Sequence, residues 1–190
     1  MEPRPTPSAI PPAAPVGTAD AAFSPTPDAT AGASAGKADL LKRFLGYLFD
    51  GLIVGLPLYI VGTLLVFTAG RMGVGVMILA FGAYILVRDG LEVDFMRRRS
   101  LGKKLIKLRP VRLDGGVMDI ETSVRRNWTL ALSPILQGLS WILGSFFLIG
   151  TLATLAGLLA LAEAIIVLVD KDGRRIGDKF ANTMVVESAD

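Results

Sequence analysis

The chain of 190 residues contains no cysteine and no histidine. The first absence excludes disulfides, thiol nucleophiles and the usual zinc sets. The second removes imidazole, the commonest general acid–base group. Chemistry would fall to Asp, Glu, Lys, Arg, Ser or Tyr, and the sequence shows no clustered catalytic set of these, no P-loop lysine and no nucleophile elbow. The glycines at 70, 73 and 75 do not follow a strand in a βαβ unit, so a dinucleotide loop is excluded as well. The chain is therefore read as a non-enzyme without cofactor or metal.

Charge is scarce in two long stretches. Between Phe44 and Val87 the charged residues are Asp50 and Arg71, and between Trp128 and Val169 there is Glu163 alone. Such runs, in a chain that is 52% hydrophobic with a mean hydropathy of +0.54, are transmembrane signals. A soluble domain would interleave polar residues at period 2 or 3.6. The expected fold is an all-α integral membrane protein with four transmembrane helices. The first runs over about Leu41–Thr68, with Pro57 inside it. "AGRMG" at 69–73 turns the chain into the second, about Met72–Val87. The block Trp128–Val169 holds two more, with a turn near Gly144–Gly150.

Basic residues orient the spans. Eleven of the 20 Lys and Arg fall between spans two and three, four follow span four, Arg71 alone lies in the first turn and none in the last. By the positive-inside rule both termini and the middle loop, 88–127, are cytoplasmic. The chain is then a multi-pass membrane protein. The net charge of +3 reflects these flanks and not nucleic-acid binding.

Residues 1–38 hold eight of the eleven prolines among Ala, Ser, Thr and Gly. This composition cannot bury enough apolar surface to offset its ordering entropy, and it is read as a disordered cytoplasmic tail. Residues 39–188 form the membrane domain. Its middle loop predicts a small cytoplasmic helix/β-ribbon cap: Ser100 is an N-cap for a basic helix over about 101–107, "LRPVRL" alternates as a strand does, and "NTMVVES" at 182–188 is a second strand. Arg97, Arg98, Arg99, Lys103 and Lys104, with Arg125, Arg126 and Trp128, are read as anchors to anionic lipid headgroups and the aromatic belt.

Two acids sit inside the apolar runs. An ionised carboxylate there costs roughly 2.5–3.5 kcal/mol on insertion scales, so intramembrane acids are functional candidates. Asp50 lies seven residues after Arg43, on the same helical stripe but about 10 Å along the axis. Glu163 lies seven residues before Asp170. Gly51 and Gly55 beside Asp50, and Ala156, Ala160 and Ala164 beside Glu163, are small-residue ridges that let spans one and four approach. Brought close, the two carboxylates would share a proton or hold a cation. The plainer alternative is that either acid hydrogen-bonds across the bundle, Asp50 pinning the fold through Arg43 or Arg88. Arg88–Asp89 reads as an interfacial anchor or a gate.

Four stretches, in order, resemble the RDD family of small multi-pass bacterial membrane proteins: "RFLGYLFD", "SLGKKLIKLRPV", "RRNWTLAL" and "GRRIGDKFANTMVV". The family is named for an arginine and two aspartates, and the resemblance assigns these to Arg43, Asp50 and Asp178. It covers about residues 40–187. Gly46 stands where Ala is common, and Lys107 and Pro110 fall in a stretch that usually reads Gly-Leu-Arg-Val. The resemblance implies the bacterial plasma (inner) membrane and a role in transport. Together with the buried acids it leads to an expected activity of moving a small cation or proton. Asp50 would be the titrating or coordinating group, Glu163 would assist, and Arg43 would set the charge of Asp50. Asp178 would bind Arg or Lys on the inner face. A homo-oligomer follows if the site lies between protomers. The alternative reading is a non-transporting membrane scaffold or accessory subunit whose buried acids are structural.

Overall fold

The computed structural model of the protein describes residues 38–188, so the proline-rich tail lies almost entirely outside the described residues. Helix α1, Leu40–Asp50, starts on Asp39, whose carboxylate accepts from the amides of Leu41 at 2.7 Å and Lys42 at 3.2 Å. A π-helical stretch, Gly51–Gly55, carries it into α2, Leu56–Val87. Pro57 lies just after the π-helical stretch, whose widened turn accommodates a residue that cannot donate back along the helix.

The stretch Leu40–Val87 is one run of 48 residues only by hydrogen-bond pattern. Gly70, at φ 57° and ψ −149°, is its one residue with non-helical dihedrals. That region is open essentially to glycine alone. The two arms fold back on each other there. A Cβ on Gly62 would lie 3.1 Å from Cβ of Met77, and one on Gly55 would lie 3.2 Å from the Phe81 ring.

Helix α3, Leu101–Leu105, is capped by Ser100, whose hydroxyl accepts from the Lys103 amide at 3.4 Å. Strand β1, Leu108–Arg112, follows. Helix α4, Ile120–Leu143, starts on Asp119, which accepts from Thr122 N at 2.7 Å, and stops at Gly144 in the left-handed conformation. Helix α5, Leu148–Val169, follows after a short connection. Then come α6, Ile176–Phe180, and strand β2, Thr183–Glu187. The strands pair antiparallel, Leu108 opposite Glu187 and Arg112 opposite Thr183. A two-stranded ribbon is marginal alone, and this one packs Leu108 and Val185 with Ala38 and Ile106 in a small core.

The second arm of α2 lies against α4 through glycine. A Cβ on Gly75 would meet Gly138 O at 2.8 Å, and one on Gly138 would meet Gly75 O at 2.8 Å, so the backbones touch. Helix α5 lies on the other side of α4, where Ser133 Oγ donates to Ala153 O at 2.9 Å. Among the described residues two stretches are long and apolar enough to cross a membrane, Leu40–Val87 and Leu148–Val169. Their side chains are mostly outward-facing, as in Phe67, Leu158, Leu161 and Leu168. This is a mostly helical membrane protein with a polar cap at one end.

The expected contact of spans one and four through small residues does not form. Gly55 faces Phe81, Gly51 has no neighbour near its missing Cβ, and Ala160 and Ala164 line an open cleft opposite α1. The hairpin at Gly70 places the second arm of α2 in the position assigned to α5.

Candidate functional site

The site is a buried layer of charge where the helices meet the cap. Asp50, at the end of α1, is sealed from solvent and accepts three hydrogen bonds. Tyr84 Oη donates to Oδ1 at 3.1 Å, Gly102 N to Oδ1 at 2.8 Å, and Arg88 Nη1 to Oδ2 at 2.9 Å. Tyr84 and Arg88 are four residues apart and so share one face of α2. Gly102 brings α3 into the same site. Its amide reaches Asp50 because the backbones are in contact: a Cβ there would lie 2.0 Å from Gly46 O.

Arg43 does not pair with Asp50. Side chains on a helix lean toward its N-terminus. Arg43 accordingly reaches into the cap, where Nη1 donates to Gly173 O and Nη2 to Val185 O at 2.9 Å. It ties α1 to the turn after α5 and to β2, and Arg88 is the partner of Asp50.

Asp89, the next residue after Arg88, turns to the other side. Lys103 Nζ lies 2.5 and 2.6 Å from its two oxygens, Asn127 Nδ2 donates to Oδ2 at 3.1 Å, and Arg126 stands 3.4 Å away. Asp178 accepts from Arg126 Nε at 2.6 Å, from Arg175 Nη2 at 3.4 Å and from Arg175 N at 3.2 Å. Arg126 thus bridges two carboxylates. Burial pushes the carboxyl of Asp89 up, but Lys103, Arg126 and Arg88 outweigh it and hold the group well below its ordinary range. Burial acts likewise on Asp178 and is outweighed by Arg126 and Arg175.

Glu163 accepts from Gly177 N at 2.8 Å through Oε1. Its Oε2 makes no hydrogen bond and lies 3.9 Å from Arg175 Nη1, itself without a hydrogen-bond partner. Gly177 repeats the device of Gly102, since a Cβ would lie 2.0 Å from Arg126 O. The Tyr47 ring is approached by the guanidinium of Arg88 at 5.4 Å and of Arg175 at 5.6 Å. It links the Asp50 and Glu163 groups through cation–π contacts. The two acids share no hydrogen-bond partner, so the proton-sharing pair expected from the ridges does not form; each has its own arginine.

The basic residues read as lipid anchors divide. Arg97, Arg125 and Trp128 are exposed, and Arg98 and Lys104 are half-buried. Arg99, Lys103 and Arg126 are buried. For Lys103 and Arg126 the reason is the pair of buried carboxylates, Asp89 and Asp178, which hold them in the layer. Sequence reasoning missed Tyr47, Tyr84, Arg175 and the two contact glycines, and it grouped Asn127 with the anchors before Trp128, whereas Asn127 donates to Asp89 and accepts from Arg175. The spacing of Tyr84 and Arg88 was a signal for a shared face, and "SLG" and "RIGD" each place a glycine where a short cap helix meets a membrane helix.

Between α1 and α5 lies a cleft of about 570 Å³. Its mouth is apolar, with Phe44, Leu161 and Leu168, and its inner end is formed by Arg43, Lys103, Glu163, Arg175 and Asp178.

The architecture defines a helical membrane-associated protein with apolar helices and an ion-paired cap. The sequence model of the RDD family matches residues 37–182, and the chain belongs to that family. No curated protein and no solved structure matches it.

Proposed function

We propose that this RDD-family protein is a non-transporting membrane scaffold or accessory subunit whose buried acids are structural. It would lie in the bacterial inner membrane with four spans and with both termini and the cap in the cytoplasm. The reversal at Gly70 and the break at Gly144 support four spans, and the basic middle loop supports the orientation.

One observation carries this reading. Asp50 already accepts three hydrogen bonds from two other segments, one of them from a buried arginine, so a cation would have to displace the protein's own donors. The surrounding charge points the same way. Arg43, Arg88, Lys103, Arg126 and Arg175 are buried beside the four carboxylates Asp50, Asp89, Glu163 and Asp178. A layer with one more cation than anions disfavours a further cation.

The transport reading, for a small cation or a proton, keeps one supporting observation: Glu163 Oε2 is unbonded at the inner end of the cleft. Everted membrane vesicles with a pH-sensitive dye separate the two. After a proton gradient is imposed, Na⁺, K⁺ and Li⁺ are added in turn to wild type, Asp50→Asn, Glu163→Gln and empty vesicles, matched for membrane level. The scaffold reading expects wild type to trace the empty vesicles. Cation-dependent dequenching lost in either variant would replace it with transport through that carboxylate.

A further inference from the structure

We propose that the cleft between α1 and α5 binds one monoanionic phospholipid, its phosphodiester against Arg43 and Arg175 and one acyl chain between the helices. Three features of the cleft argue for this occupant.

The first is charge. Of the groups at the inner end, Arg43, Lys103 and Arg175 are cationic while Glu163 and Asp178 are anionic, a surplus of one positive charge. A phosphodiester carries one negative charge and balances it. A zwitterionic headgroup, with its own ammonium, does not.

The second is hydrogen bonding. Arg43 Nε and both Nε and Nη1 of Arg175 are buried without a hydrogen-bond partner, against a single such acceptor, Glu163 Oε2. Buried donors without acceptors are costly. Phosphate oxygens only accept, and the planar guanidinium fork suits them. Lys103 is already committed to both oxygens of Asp89, and Asp178 to Arg126 and Arg175, so they set the charge and leave contact to the two arginines.

The third is the path of entry. Phe44, Leu161 and Leu168 are 63%, 59% and 61% exposed at the mouth, an apolar rim continuous with the outer faces of α1 and α5. Ala160 and Ala164 leave room between them. The volume falls within the range of roughly 300–1,000 Å³ typical of small-ligand sites, enough for a headgroup and part of a chain. A helix from a second copy would fill the apolar mouth but bring no anion to the arginines, because the outer faces of α1, α2 and α5 carry no acidic residue within the apolar runs.

The test is native mass spectrometry of the full-length protein in detergent. It is titrated with phosphatidylglycerol and with phosphatidylcholine of the same acyl chains, and oleate serves as competitor. The expected result is a single phosphatidylglycerol adduct, weakened at least about tenfold in Ala164→Phe. That variant fills the cleft from an exposed position and leaves every charge in place. Leu168→Trp, also on the rim, serves if the first variant does not accumulate. Equal binding of phosphatidylcholine would overturn the charge argument. An adduct unchanged in both variants would place the lipid on the basic surface instead. Displacement by equimolar oleate would make the ligand a carboxylate amphiphile. A lipid-free dimer lost in Ala164→Phe would make the occupant a second copy.

Discussion

Arg88 donates through Nη1 to Oδ2 of Asp50 at 2.9 Å, with both side chains sealed from solvent. The pair joins the end of α1 to the end of α2, the base of the hairpin that turns at Gly70. Removing one member leaves the other charge buried, which costs about 3–5 kcal/mol, while replacing both with apolar residues of similar volume costs much less. Asp50→Leu and Arg88→Met are each expected to lower thermal stability in detergent sharply. The double variant Asp50→Leu/Arg88→Met is expected to recover part of the loss. Additive losses in the double variant would show that the two residues are not coupled.

Glycine is required where backbones touch and dispensable where a side-chain tip gives way. Gly102→Ala and Gly177→Ala each drive a Cβ to 2.0 Å from a carbonyl oxygen, Gly46 O and Arg126 O. Overpacking of this kind costs about 1–3 kcal/mol, and here the obstacle is backbone. Both variants should accumulate poorly in the membrane. Gly46→Ala meets only the tip of Ile106 at 3.0 Å and gains helix propensity of up to about 1 kcal/mol. It should be neutral or mildly stabilising, and a severe loss would contradict the packing described for α1.

Gly70 tests the hairpin by backbone alone. Nothing lies within 4 Å of a Cβ built there, so Gly70→Ala introduces no clash. Its φ of 57° with ψ −149° is nevertheless strained for any other residue, by about 1–3 kcal/mol. Reduced thermal stability without loss of the Asp50–Arg88 coupling is the expected outcome.

Arg43 and Lys42 are adjacent basic residues with different weight. Arg43 is buried and satisfies the carbonyls of Gly173 and Val185. Lys42 meets Glu187 at 2.6 Å with both side chains nearly half exposed. A surface pair contributes about 0.2–1 kcal/mol. Arg43→Lys should raise amide hydrogen exchange in β2 and around Gly173, because one ammonium cannot span both carbonyls. Lys42→Ala should leave exchange there nearly unchanged.

The cap should be acid-sensitive. Asp89 and Asp178 are held well below the unfolded value of 3.8 by buried cations. A carboxylate with a depressed native pKa adds stability that is complete above the unfolded pKa and is lost as pH falls through the native one. The contribution of these two carboxylates should therefore be constant above about pH 5 and decline below it. The fluorescence of Trp128, one residue from Asn127, can follow the decline. Asp178→Asn should shallow the slope, and an unchanged slope would mean that Asp178 does not carry this linkage.

Much of the fold was legible because it is local. The apolar runs, the cap on Ser100, the two alternating strand segments and the glycine stop near 144 each follow from a few neighbouring residues and their periodicity. That Asp178 would find a cation was legible from charge; that the cation would be Arg126, also holding Asp89, was not. Arg99, Lys103 and Arg126 look like lipid anchors in a basic loop, and only the cap that folds over them turns them inward.

The sequence by itself determined that this is an apolar helical protein with a charged cap, because hydrophobicity and basic flanks act segment by segment. Only the tertiary structure decided which charge meets which. Asp50 is seven residues from Arg43 and thirty-eight from Arg88, yet the tilt of side chains along α1 sends Arg43 into the cap while the reversal at Gly70 returns Arg88 to Asp50. In a low-dielectric layer a buried charge is tolerated only beside its partner, and which groups become neighbours is settled by how the helices pack.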